Sequence, residues 1–144
     1  MRPRARPRVF LDSNVIFSGL YSAEGAPATI VKYFIEGRMT VVISQQVLDE
    51  VVRTIKAKLP EALPSLRKLL VNSPLEIRKD PTPEEVARWA EVINPDDAGI
   101  LAAATDAEPD YLITGDSHFF KSPVIGRKSG LQIVTPGQFL ERLE

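Results

Sequence analysis

Four acids of the sequence stand where a parallel α/β fold would gather them into one site. Asp12 follows the apolar run Val9-Phe10-Leu11, and Asp116 follows "YLITG". Both are expected at carboxyl ends of strands, where sites of open parallel sheets form. Glu50 lies early in the helical segment "QQVLDEVVRTIKAKL", and Asp97 opens "DAGILAAA". A buried carboxylate without a partner costs several kcal/mol or loses its charge. Four carboxylates within about 4–6 Å repel one another, so the cluster needs a cation or must take up protons. With no Cys and His118 as the one histidine, an all-oxygen set favours Mg²⁺ or Mn²⁺ over zinc. Such an ion, alone or paired with a second, would activate water and offset charge on a phosphodiester in an in-line displacement.

The elements that must position these acids alternate in the sequence. "RVFLD" predicts a strand, followed by a polar, glycine-bearing loop through Gly25. A helix is expected from about Pro27 to Glu36, with Pro in its first turn and Gly37 just past its end. Thr40–Ser44 predicts a second strand, and Ser44 can cap the helix after it. In that helix Val47, Leu48, Val51, Val52 and Ile55 form an i, i+3, i+4 stripe. Pro60 breaks it, and "PEALPSLRKLLVN" reads as one further helix or two short ones. "LEIR" is a short strand, Thr82-Pro83-Glu84-Glu85 a capping box, and Asn94-Pro95-Asp96-Asp97 a repeat of that device. "DYLITGD" and "LQIVT" complete the strands, and Thr135 caps a closing helix. Strands separated by helices imply a parallel sheet covered on both faces.

Each acid also has a structural reading. Asp12 could close an Asx-turn, Asp116 a turn in "TGDS". Glu50 could be a solvated helix residue competing with Asp49, and Asp97 a helix-capping acid, which does not preclude a cation. Their joint placement favours the site. Of the adjacent pair, Asp97 is preferred to Asp96 because Ile100 and Leu101, at i+3 and i+4, turn its side of the helix to the sheet. Lys121, Arg127 and Lys128 lie in "FKSPVIGRKSG", read as a loop near the cleft where they could touch phosphate. Trp89 reads as core rather than as a base-stacking platform.

The 144 residues suit one domain with a real core, 44% hydrophobic and 26% charged. No apolar run is long enough to span a membrane, and "MRPRARPRVFLD" lacks the apolar stretch of a signal peptide, so a cytoplasmic location is expected. Net charge is −1, yet Arg2, Arg4, Arg6 and Arg8 leave 14 basic and 19 acidic residues in the rest, a net of −5. This basic arm, residues 1–8, could touch phosphate or be a frayed terminus.

The ordered segments "VFLDSNVIFSGLYSAEGAPATIVKYF", "VVISQQVLDEVVRTI" and "NPDDAGILAAATDAEPDYLITGDSHFF" resemble the PIN-domain family of ribonucleases. They are most similar to its toxin components of bacterial and archaeal toxin–antitoxin pairs. The family's usual Asp-Thr-Asn opening is Asp12-Ser13-Asn14 here, which keeps the hydroxyl. The resemblance implies a Rossmann-like three-layer α/β/α sandwich over residues 9–144 and a Mg²⁺- or Mn²⁺-dependent ribonuclease. It makes Asp12 and Asp97 primary metal ligands, completed by Asp116 and Glu50, with Ser13 and Asn14 orienting Asp12. It also implies an RNA substrate, a small antitoxin protein as partner and a homodimer. Two other classes compete: a PIN-like module that binds RNA or protein without cutting, and a phosphoryl-transfer enzyme with Asp12 as nucleophile. The second would want an Asp two residues on, where Asn14 stands.

Overall fold

The structure, a computed structural model, describes residues 6–143. Its centre is a parallel five-stranded sheet: β1 (Arg8–Leu11), β2 (Thr40–Ser44), β3 (Leu75–Arg78), β4 (Tyr111–Ile113) and β5 (Ile133–Val134), in the order β3-β2-β1-β4-β5. Val9 pairs with Val41 on one side and Tyr111 on the other; Phe10 pairs with Val42 and Leu112. Val9, Phe10 and Leu11 are fully buried, as the middle strand of a sheet covered on both faces must be. The strand order reverses at β1. The chain leaves β1 toward β2 and β3, then crosses back to β4 and β5. That makes the β1/β4 boundary a topological switch point, with a crevice at the strands' carboxyl ends.

Helices cover both faces in a Rossmann-like α/β/α sandwich. They are α1 (Ser13–Tyr21), α2 (Ala26–Ile35), α3 (Gln45–Lys58), α4 (Leu63–Asn72), α5 (Pro83–Ala87), α6 (Pro95–Ala107), α7 (Pro123–Ser129) and α8 (Pro136–Leu143). Helix α1 packs on α2 and α3, α2 on α8, and α6 on α5 and β2. Ser44 caps α3 by accepting from the Val47 N–H at 3.3 Å, and Val47, Val51 and Ile55 are its buried stripe. Pro60 resolves the segment after α3 into a single 3₁₀ turn followed by α4. Thr82 and Glu85 make the reciprocal capping box at α5, and Thr135 with Gln138 makes another at α8. Trp89 is core.

Two segments differ from their sequence reading. The stretch after "RVFLD" is not a loop: α1 begins at Ser13 and runs to Tyr21, burying Val15 and Ile16. The Asp-Ser-Asn interruption is a strand-to-helix junction, because Asp12 caps the helix by accepting the Ser13 N–H at 2.8 Å. Gly19 lets α1 and α2 meet, since a Cβ there would lie 2.7 Å from the Pro27 carbonyl oxygen. The expected loop around Arg127 is helix α7, with Ser122 as cap, Pro123 in its first turn and Gly130 closing it at φ 72°.

Residues 1–5 of the basic arm, Arg2 and Arg4 among them, lie outside the described residues. Arg8 belongs to β1. Its guanidinium reaches Glu76 at 3.0 Å and, with Arg78, holds that carboxyl below its usual range.

Candidate metal centre

Asp12 follows the last residue of β1 and is only 4% exposed. Its two carboxylate oxygens take three neutral donors: the Ser13 N–H at 2.8 Å, the Thr114 hydroxyl at 2.8 Å and the Asn14 amide at 3.1 Å. Among the described residues no cationic side chain pairs with it. Burial is the main cause that pushes its pKa from 3.8 to about 6. The Thr114 and Ser13 hydrogen bonds oppose the rise, and the charges of Glu50 and Asp116 add to it.

The junction around Asp12 is built by short polar side chains. Asn14 spans the switch point, donating to Asp12 while its carbonyl oxygen accepts the Gly115 N–H at 2.9 Å. Thr114, fully buried, donates to Asp12 and accepts the Asp116 N–H at 3.0 Å. Ser13 does something different from the expected orienting role. Its hydroxyl donates to Glu50 at 2.8 Å, and only its backbone N–H reaches Asp12. Glu50 also accepts from Gln46, one helical turn back, at 3.1 Å. Asp49, its neighbour, is exposed and takes Gln45 instead.

On the open side, α6 presents Asp97 in its first turn. Residues 98–104 of this helix are all buried, so its middle is packed on every side. Asn94 caps it, accepting the Asp97 N–H at 3.1 Å. The expected capping box is only half made. The Asp97 carboxylate accepts the side-chain amide of Asn94 and the His118 ring nitrogen, and faces the cleft. Asp96 is exposed and lines the same cleft from its rim.

Asp116 caps the 3₁₀ turn Ser117–Phe120 by accepting the His118 N–H at 2.9 Å. His118 Nδ1 lies 3.0 Å from Asp97 Oδ2 and 3.3 Å from Asp116 Oδ1. One donor atom each from Asp97, Asp116 and His118 falls within 4.8 Å of the others. Asp12 feels the charges of both Glu50 and Asp116, which ties the buried acid to this group. Two open pockets share Asp116, one toward Asn94 and Asp97, the other toward Asn14, Ser18, Pro27 and Pro136.

The donor set fits a divalent cation. It holds ionisable oxygens and one imidazole, and Asp116 also acts electrostatically on a buried carboxylate with neutral partners only. The sequence reading did not bring out the contacts that His118, Thr114, Gln46 and Asn94 make with these acids. Thr114 stood in the segment "ITGD", and His118 two residues after Asp116 was the other available signal.

None of Lys121, Arg127 and Lys128 lines the pocket between Asp97 and Asp116. Lys121 and Arg127 are exposed on the turn and on α7. Lys128 donates to the Arg88 carbonyl at 3.1 Å and lies over the Trp89 ring, 5.1 Å from its centroid.

Fold and site together define a Rossmann-like α/β/α protein with an acidic centre at its topological switch point. The chain belongs to the PIN domain family, whose model matches residues 8–118. Its fold is similar to VapBC2 from Rickettsia felis, solved bound to a DNA fragment from their promoter. That likeness has a TM-score of 0.63 at 17% identity, over 89% of this chain and 98% of that one. It is similar to FitAcB from Neisseria gonorrhoeae, with a TM-score of 0.60 at 17% identity over 90% and 98%. It is also similar to PAE2754 from Pyrobaculum aerophilum, with a TM-score of 0.64 at 18% identity over 95% of each chain. No curated protein matches in sequence. No helix among the described residues is long and apolar enough to cross a membrane.

Proposed function

We propose that this chain is a divalent-metal-dependent endoribonuclease that hydrolyses RNA phosphodiester bonds. The observation that carries this reading is the Asp12 carboxylate: buried, held by neutral donors, and raised to about 6 with Glu50 and Asp116 beside it. A fold with no use for a cation there would gain by replacing Asp12 with a neutral residue. Asp12, Glu50, Asp97 and Asp116 would hold Mg²⁺ or Mn²⁺. When bound, the cation would supply charge neutralisation at the scissile phosphate and make a bound water a better nucleophile.

The chain's own residues do the positioning. Thr114 and Asn14 hold Asp12 in one rotamer across the β1/β4 boundary, and Ser13 holds Glu50. The open side of the cleft, between the α6 N-terminus and the Asp116 turn, leaves room for a phosphate to approach. Asp12→Asn and Asp97→Asn are each expected to cut Mn²⁺-dependent cleavage of RNA by about a thousandfold. That is several kcal/mol of charge stabilisation at ~1.4 kcal/mol per decade. Undiminished cleavage by both folded variants would overturn the assignment.

The cellular role we propose is the toxin of a toxin–antitoxin pair, acting in the cytoplasm as a homodimer and held in check by a small antitoxin. Family membership and the likeness to VapBC2 and FitAcB support it. Expression without the antitoxin should arrest growth, and Asp97→Asn should relieve the arrest. Normal growth on strong expression of an active nuclease would rule the toxin role out.

A further inference from the structure

We propose that His118 is a direct ligand of the cation and that it sets the site's preference for Mn²⁺ over Mg²⁺. This rests on the metal-dependent reading above and adds a residue outside the four acids. Three features carry it: the position of Nδ1, the rigidity of its mount and the chemistry of a mixed donor set.

His118 Nδ1 stands 3.0 Å from Asp97 Oδ2 and 3.3 Å from Asp116 Oδ1. Two donors at right angles on bonds of about 2.1 Å are roughly 3.0 Å apart, the edge of an octahedron. The ring nitrogen and the carboxylates are therefore spaced as neighbours in one coordination shell. Nδ1, not Nε2, makes these contacts, so the ring directs one lone pair or one N–H toward both acids. A cation can take the place of that proton without moving the ring.

The mount is rigid. The His118 N–H is tied to Asp116 Oδ1 at 2.9 Å, so ring and carboxylate belong to one short turn. The next residue, Phe119, is buried in the core at 2% exposure and fixes the turn from below. The Asn94 amide lies 3.2 Å from Nδ1 on the other flank. The ring itself is nearly half exposed, which leaves the remaining positions to water and substrate.

Imidazole is a good ligand for first-row transition metals, and Mg²⁺ strongly prefers oxygen. Two carboxylate oxygens plus one imidazole nitrogen shift the order toward Mn²⁺. An all-oxygen set would not.

His118 is the sole histidine of the sequence, which makes the test specific. Untagged protein loaded with Mn²⁺ is examined by pulsed electron paramagnetic resonance. A ¹⁴N coupling is expected, and it should change to the ¹⁵N pattern when the protein is grown on ring-¹⁵N histidine. His118→Phe should lose the coupling and weaken Mn²⁺ binding about tenfold or more, with Mg²⁺ binding changed less than about twofold. Mn²⁺ bound with no histidine coupling, and an unchanged Mn²⁺/Mg²⁺ ratio in His118→Phe, would overturn the ligand role while leaving the metal nuclease standing. Absence of Mn²⁺ binding by the wild-type protein would overturn both.

Discussion

Asp12 and Asp97 carry the same carboxylate into opposite surroundings. Asp12 is 4% exposed beneath the end of β1, wrapped by Thr114, Ser13 and Asn14. Asp97 stands on the open side, its side chain 15% exposed, against Asn94 and His118. The inner half of the site is built from backbone and short side chains of β1, β4 and the α1 cap. The outer half is held by single side-chain contacts between α6 and the turn after β4. Burial makes the inner acid expensive to ionise and easy to hold, whereas the outer acids depend on their side-chain neighbours for their positions.

The largest test of this contrast is pH. Asp12 has its folded pKa raised from 3.8 to about 6. The folded state therefore binds more protons than the unfolded chain between those values, and stability falls as pH rises through that window. The difference amounts to about 3 kcal/mol at 1.36 kcal/mol per unit. Urea titrations of metal-free protein from pH 4 to 6.5 should show that decline. Mn²⁺ should raise the melting temperature far more at pH 7 than at pH 4.5. Asp97→Asn should leave the slope in place, because Asp97 is not among the causes of the Asp12 shift. A flat profile would mean that Asp12 carries its charge without penalty and that the two halves do not differ as described.

Next comes Thr114→Val, which removes the hydroxyl bridging Asp12 and the Asp116 N–H. Loss of one buried and one part-buried hydrogen bond should cost about 1–3 kcal/mol at pH 7 by thermal or urea unfolding. It should also move the pH decline upward, since the Thr114 bond is what most opposes the Asp12 shift. Gly99→Ala probes the link between the halves. A Cβ there would come within 2.5 Å of Gln46 Oε1, pushing aside the side chain that supports Glu50. The higher helix propensity of Ala offsets the broken Gln46–Glu50 hydrogen bond, so stability should stay within about 1 kcal/mol. RNA cleavage should nonetheless fall about tenfold. The smallest effect is expected of Lys128→Ala. Its contacts with the Arg88 carbonyl and the Trp89 ring are worth about 0.5–1 kcal/mol of stability, with RNA affinity unchanged.

Local patterns carried much of the fold. Thr40–Ser44 was legible as a strand from its β-branched run, α3 from its stripe and its Ser44 cap, and α5 from Thr82 and Glu85, because each signal is complete within a few residues. The same logic misread α1. Asp-Ser-Asn is turn chemistry by composition, and only the helix packing of Val15, Ile16 and Gly19 against α2 decides that it starts a helix. Helix α7 carried its own Ser122, Pro123 and Gly130 signals, which the basic residues around it obscured.

In the site the same division holds. Asp12, Glu50, Asp97 and Asp116 could be singled out by their places at strand ends and helix starts, since backbone direction alone sends those positions to one edge of a parallel sheet. The preference for Asp97 over Asp96 rests on helical periodicity; in the structure both line the cleft, and Asp97 is the one in contact with His118. The roles of Thr114, Gln46 and Asn94 did not follow. Nor did the approach of His118 to Asp97 across 21 residues, which joins the first turn of α6 to the turn after β4. Sequence determined which groups would reach the edge of the sheet, because strand direction and helix phase are local properties of the chain. Tertiary structure decided which of them touch, and which acid is buried, because ångström distances and desolvation exist only once the helices have packed.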